Sequence, residues 1–68
     1  MDKTLADMTL EEAWQLAIRK EQEAQELYRA LAEKSPAMHE LFDFLLKQEV
    51  NHERRLQDEY DKAFRPDW

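Results

Sequence analysis

Apolar residues recur along the chain at helical spacing in two long stretches. The first stretch follows Thr9 and contains Leu10, Ala13, Trp14, Ala17, Ile18, Ala24, Tyr28, Leu31 and Ala32. The second follows Pro36 and contains Met38, Leu41, Phe42, Leu45, Leu46, Leu56, Tyr60, Ala63 and Phe64. These spacings fit the 3.6-residue period of a helix and not the alternation of a strand, so they predict two α-helices.

Capping and breaking residues set the ends of the predicted helices. Thr9 and Glu12 form the pattern of a capping box, in which the hydroxyl and the carboxylate satisfy amides of the first turn. Pro36 disfavours helix at the residue before it and suits the first position of a new helix, with Ser35 as the cap. We predict a single domain with a leader at 1–8, helix 1 at 9–34, helix 2 at 36–64 and a tail at 65–68.

The turn between the two predicted helices is very short, so they should run antiparallel as a helical hairpin. Two helices cannot enclose a core, because each apolar stripe leaves one side in water. The chain has 68 residues and no cysteine, so disulfides cannot compensate for a small core. We therefore predict an all-α fold in which two antiparallel hairpins dimerise into a four-helix bundle.

Charge and composition narrow the classes of partner. Ten basic and sixteen acidic side chains give a formal charge of −6, which argues against nucleic acid or an anionic membrane as a partner. The chain has no glycine, which excludes a Gly-rich phosphate loop. No apolar run approaches the ~20 residues of a membrane span, and Met1–Met8 lacks the apolar stretch of a secretory signal. We expect a soluble cytoplasmic protein.

Three polar residues interrupt the apolar stripes, Glu21 in the first and Glu49 and His52 in the second. Glu21 lies fourteen residues before Ser35 and Glu49 fourteen after it, so antiparallel helices place both about 21 Å from the turn. His52 follows Glu49 by three residues and therefore lies on the same face of its helix. We predict that the three side chains meet near the middle of the hairpin.

The combination of Glu-x-x-His on one helix and Glu on its neighbour is half of a di-iron carboxylate site. Divalent cations need anionic oxygens to offset their charge, and one imidazole per metal completes a site with open positions. A twofold dimer would double the set to four glutamates and two histidines. Dimerisation would then complete the coordination shell as well as the core.

Two alternatives stay open from the residues alone. The chain could be a non-catalytic helical dimerisation or adaptor module, in which the Glu and His side chains form a buried polar network that fixes register. A shell of Glu and His also does not choose among Fe, Mn and Zn by affinity alone.

Tyr28, two turns from Glu21, is foremost a core aromatic and is also a candidate catalytic residue if its hydroxyl reaches the metal. His39 lies near the turn without a partner at ligand spacing.

The two motifs resemble those of a known family. The segment 21–28, Glu-Gln-Glu-Ala-Gln-Glu-Leu-Tyr, looks like the first-helix signature of the rubrerythrin branch of the ferritin-like superfamily. In that signature a ligand Glu is followed by Ala three residues later and by Tyr seven residues later. The segment 49–52, Glu-Val-Asn-His, resembles the Glu-x-x-His of the same family. The similarity spans about residues 10–62.

The resemblance implies a ferritin-like bundle with Glu21, Glu49 and His52 as metal ligands. Full rubrerythrin and ferritin subunits have four helices, so this chain is more similar to encapsulated ferritins, whose two-helix hairpins form an iron site between subunits. The implied cofactor is two iron ions per dimer, with Mn or Zn as alternatives. The implied activity is that of a ferroxidase or a rubrerythrin-like peroxidase, in which O₂ or peroxide oxidises Fe(II) for iron handling or peroxide detoxification.

The resemblance also implies partners. The chain should form a homo-oligomer, at least a dimer, and its candidate partners are an encapsulin shell and an external electron donor. Encapsulated ferritins dock in their shell through a C-terminal peptide, which the tail 65–68 does not resemble. Because the chain has no cysteine, peroxidase activity would depend on a separate electron donor. The implied location is cytoplasmic, with the interior of an encapsulin compartment as the alternative.

Overall fold

The computed structural model describes residues 4–65, which form two α-helices and two short 3₁₀ turns. Helix α1 spans Leu10–Lys34 and helix α2 spans His39–Phe64. The 3₁₀ turns span Leu5–Asp7 and Pro36–Met38. The predicted leader and tail fall partly outside the described residues, at 1–3 and 66–68. No helix in the described range is sufficiently long and apolar to cross a membrane.

The capping box predicted at the start of α1 is confirmed. The Thr9 hydroxyl accepts a hydrogen bond of 3.1 Å from the Glu12 amide, and the Thr9 amide donates one of 3.0 Å to Glu12 Oε1. These bonds satisfy amides that have no partner within the helix. The dipole of α1 also favours the carboxylates of Glu11 and Glu12 in its first turn.

The start of α2 differs from the prediction, because α2 begins at His39 and not at Pro36. Pro36 instead opens a tighter turn, closed by the Met38 amide on the Ser35 carbonyl at 2.9 Å. The Ser35 side chain makes no capping hydrogen bond, so its predicted role as a side-chain cap is wrong. Its backbone amide ends α1 by donating to the Leu31 carbonyl at 2.9 Å.

The two helices pack side by side as an antiparallel hairpin, and the core lies along the line of contact. The buried residues of the described range are Ile18, Gln25, Ala32 and Tyr60. The described residues contain no further α-helix and no strand that could form a second layer. Within residues 4–65 the hairpin is therefore a single layer, and no other element of this range covers either of its broad faces.

The single layer explains which stripe residues stay exposed. Leu10, Met38 and Leu41 belong to the predicted apolar stripes, but each is exposed, and Leu10 keeps 70% of its surface in contact with solvent. This exposure agrees with the expectation that two helices alone leave one side of each apolar stripe in water. Leu27 and Phe44 are exposed as well.

The end of the hairpin opposite the turn is joined by a group of hydrogen bonds, which we call the open-end network. Tyr60 donates from its hydroxyl to Glu11 Oε2 at 2.7 Å and accepts from Gln15 Nε2 at 3.0 Å. Trp14 donates its indole N–H to the Leu56 carbonyl at 2.9 Å. Each bond links α1 to α2, so the network fixes the two helices against each other far from the turn.

Candidate metal centre

The structure brings Glu21, Glu49 and His52 together between α1 and α2. Each offers one ligand atom, and the three atoms all lie within 4.8 Å of one another. His52 Nδ1 is 3.5 Å from Glu21 Oε2 and 3.8 Å from Glu49 Oε2. The predicted meeting of the three side chains is confirmed as geometry, because equal distances from a short turn place residues of antiparallel helices at one level.

The three side chains differ in their exposure. Glu21 keeps 24% and Glu49 keeps 18% of its side-chain surface, whereas His52 keeps 50%. Glu21 and His52 also line a groove of about 370 Å³ that opens on one face of the hairpin. The other residues of this groove are Trp14, Arg55, Leu56 and Glu59. The cluster is thus anchored between the helices and open to one side.

The surroundings of the Glu21 carboxyl oppose its ionisation. Its Oε2 atom is buried and has no hydrogen-bond partner. Its pKa is raised above the ordinary value of 4.5, first because its carboxyl can share a proton with that of Glu49, and then because of burial and the negative charge of Glu49. The nearby His52 acts in the opposite direction and lowers the pKa of Glu21 in part. Without a cation, the negative charge of Glu49 therefore opposes the ionisation of Glu21.

A second polar group lies beside the first, and we call it the amide clamp: Gln22, Gln25 and Glu53. Gln22 Nε2 donates to Glu53 Oε2 at 2.7 Å, and Gln25 Nε2 donates to Glu53 Oε1 at 2.6 Å. Both carboxylate oxygens are thereby occupied. These two bonds lower the pKa of Glu53 below its ordinary value, in spite of a smaller opposing effect of burial.

The donor set of the cluster fits a divalent metal. Two carboxylates and one imidazole supply the hard oxygens and the borderline nitrogen that Fe, Mn and Zn accept. The orphaned Glu21 Oε2 is an acceptor without a donor, and a cation would satisfy it. The proximity of Glu21 and Glu49, which is costly for two free carboxylates, would become favourable around a positive ion.

Tyr28 and His39, the two other residues considered in the sequence, lie outside the cluster. Tyr28 stacks on Phe42 with ring centroids 6.4 Å apart, and in the described structure it is not among the residues that line the groove. Its candidate catalytic role stays a prediction. His39 Nδ1 lies 3.2 Å from Asp43 Oδ2 on the exposed surface near the turn. It is paired locally and is remote from the three side chains of the cluster.

The sequence reasoning missed the amide clamp. Gln25 lies seven residues after Ile18 and seven before Ala32, and all three are buried. This heptad spacing is the signal that could have placed Gln25 in the seam between the helices. A buried amide then requires a partner on the other helix, and Glu53 is that partner.

A helical hairpin that gathers two glutamates and one histidine between its helices has the fold and the donor set of a carboxylate metal protein. The family model named Rubrerythrin matches residues 2–64, nearly the whole chain. The chain therefore belongs to the rubrerythrin family, within the ferritin-like superfamily. No curated protein and no solved structure matches it.

Proposed function

We propose that this chain is a di-iron carboxylate protein with ferroxidase-type activity, at a site that two copies of the hairpin complete. The observation that carries the proposal is the cluster of Glu21, Glu49 and His52, with one buried carboxylate oxygen left without a donor. Family membership supports iron as the metal. A pair of iron ions bound there would supply the electrons that reduce O₂ or peroxide.

The residues of one hairpin are half of such a site. Two glutamates and one histidine give too few donor atoms for two metal ions that must also be bridged. The twofold-related copy would bring the same three residues and raise the set to four glutamates and two histidines. In that arrangement the four glutamates and the two copies of His52 would hold the metals, with carboxylate oxygens and one imidazole nitrogen from each chain as ligands.

The surface of the chain supports dimerisation through the face that carries the groove. The chain presents 5705 Å², whereas a compact monomer of 8.3 kDa would present about 4,600 Å². The excess exceeds the ~800 Å² per partner that a standard interface buries. By helical spacing, Ala17 and Ala24 lie beside Glu21, and Leu45 lies beside Glu49 and His52. This apolar border would be buried when two hairpins close over their clusters.

The same side chains would control protons at the site. The raised pKa of Glu21 means that the carboxyl of the metal-free protein retains a proton to higher pH than usual. Metal binding would require that proton to leave, so uptake of the ions should release protons to solvent. His52 would coordinate a metal through its neutral imidazole.

Anaerobic titration with Fe(II), followed by air, tests the proposal. We expect about two iron ions per dimer by native mass, and oxygen-dependent absorbance in the iron–oxo region. Glu26→Gln is the matched control, since it removes one exposed carboxylate from α1 and should change neither result. A folded monomer at micromolar concentration would contradict the shared site. A protein whose melting ignores Fe(II), Mn(II) and Zn(II) would instead favour the adaptor interpretation.

A further inference from the structure

We infer that the amide clamp of Gln22, Gln25 and Glu53 is a positioning device that sets the register of the metal ligands. This inference rests on the proposed function, because it assigns a role to residues beside the proposed ligands. The clamp joins α1 to α2 through two hydrogen bonds of 2.7 and 2.6 Å. None of its three residues belongs to the ligand cluster itself.

The clamp lies next to the ligands on both helices. Gln22 directly follows Glu21, and Glu53 directly follows His52. Successive residues of a helix are separated by about 100° around the axis and 1.5 Å along it. The clamp therefore holds the helices together at the level of the cluster, in the sector beside it. A slide of α1 by one residue would break both clamp bonds and move Glu21 away from Glu49.

The burial of the clamp makes its geometry specific. Gln25 keeps only 8% of its surface, and Glu53 is half-buried. A buried amide that loses its acceptor retains the full cost of its desolvation, so alternative registers are disfavoured. The open-end network fixes the helices farther along, but it lies at the opposite end from the turn. The clamp joins the two helices by hydrogen bonds at the level of the ligands.

The clamp also keeps a third carboxylate of the hairpin, that of Glu53, from joining the ligand cluster. Glu53 is adjacent to His52 in sequence and would be available as a competing ligand if it were free. Each of its oxygens instead accepts an amide hydrogen bond. We assign to Gln22 and Gln25 the role of fixing this carboxylate, so that the cluster presents the side chains of Glu21, Glu49 and His52 alone.

Binding of Mn(II) to the full chain, followed through the electron paramagnetic resonance signal of free Mn(II), tests this role. Glu53→Gln leaves one carbonyl acceptor for two amides and should raise the Kd for Mn(II) about 10- to 100-fold, the usual range for groups that orient ligands. Gln22→Ala removes one donor at an exposed position, where the fold should tolerate it, and should raise the Kd in the same direction. Glu26→Gln, the control of equal charge change, should leave the Kd unchanged.

A double-mutant cycle separates positioning from general loss of stability. If Gln22 acts through Glu53, adding Gln22→Ala to Glu53→Gln should cost less than the sum of the two single effects. Thermal melts without metal identify any loss of folding, and all affinities are compared below the transition. Affinities of both variants within twofold of the wild type would overturn the clamp as a positioning device. A wild type that binds no Mn(II) would overturn the proposed function together with it.

Discussion

Glu21 and Glu53 are both half-buried between the same two helices, yet their surroundings are opposite. Glu53 has an amide donor on each oxygen, and its pKa is lowered. Glu21 faces another carboxylate, has a buried oxygen with no donor, and its pKa is raised. The hairpin therefore has the means to satisfy a half-buried carboxylate, as the two amide donors to Glu53 show. Glu21, whose buried oxygen has no donor, is the carboxylate that a cation would bind.

The largest expected effect comes from removing the unsatisfied carboxylate. Glu21→Leu should abolish tight metal binding while leaving the stability of the apo protein unchanged or higher, because a buried charge without a partner is costly. At a metal concentration of 100 Kd, the wild type should gain about 2.7 kcal/mol, and on the order of 10 °C in Tm. Melts of both proteins with chelator and with Fe(II) or Mn(II) measure the difference.

Two results of those melts would contradict the comparison. An apo protein that Glu21→Leu unfolds would make Glu21 a partner in a satisfied network, as in the adaptor interpretation. Equal gains from metal in both proteins would place the ions elsewhere on the acidic surface. Glu26→Leu, which changes an exposed residue of the same helix, is the matched control and should keep the full gain from metal.

The second effect concerns the histidine of the cluster. His52→Ala removes one nitrogen ligand from each hairpin and should slow Fe(II) oxidation by at least tenfold, because carboxylates alone hold the ion less tightly. Stopped-flow absorbance after mixing the Fe(II)-loaded protein with air measures the rate. His39→Ala changes the other described histidine, which pairs with Asp43 near the turn, and should leave the rate unchanged. Oxidation by His52→Ala at the wild-type rate would remove His52 from the site.

The smallest effect is a pH dependence with opposite signs at the two carboxylates. A raised pKa means that the contribution of Glu21 to apo stability is full below 4.5 and is lost as the pH rises through the raised value. A lowered pKa means that the contribution of Glu53 is present above 4.5 and is lost as the pH falls through the lowered value. One group limits either slope to about 1.4 kcal/mol per pH unit.

Urea unfolding of the apo protein between pH 3 and 8 (a range of about five units) separates the two contributions. Glu21→Gln should flatten the loss of stability on the alkaline side of 4.5 and leave the acidic side in place. Glu53→Gln should flatten the loss of stability on the acidic side of 4.5 and leave the alkaline side in place. Identical profiles for both variants would show that the two carboxylates are not in opposite environments.

The sequence was sufficient for the hairpin and for the meeting of its three ligand candidates. Helical period and the Thr9 capping box are local signals, and the equal distances of Glu21 and Glu49 from Ser35 need only a short turn to become a contact. The start of α2 was missed because Pro36 suits a 3₁₀ turn as well as the first position of an α-helix. The fixed φ angle of Pro36 is compatible with the backbone of a 3₁₀ turn and with that of an α-helix.

The amide clamp could be predicted from the sequence only in part. The spacing of Gln25 from Ile18 and Ala32 places its side chain between the helices, but its pairing with Glu53 depends on how α1 packs on α2. The apolar pattern also did not identify Leu10 and Leu41 as exposed members of their stripes. Period assigns a residue to a face of a helix, but it does not show whether another layer covers that face.

The hydrogen bonds of the open-end network have a consequence for how the hairpin forms. Tyr28 and Phe42 are fourteen residues apart and can meet as soon as the turn nucleates, whereas Glu11 and Tyr60 are 49 residues apart. Direct closure of the longer segment costs about 1 kcal/mol more in chain entropy. The contacts that close last therefore include several interhelical hydrogen bonds. Opening must break these bonds first, so the hairpin resists fraying at the end where its topology alone would make it weakest.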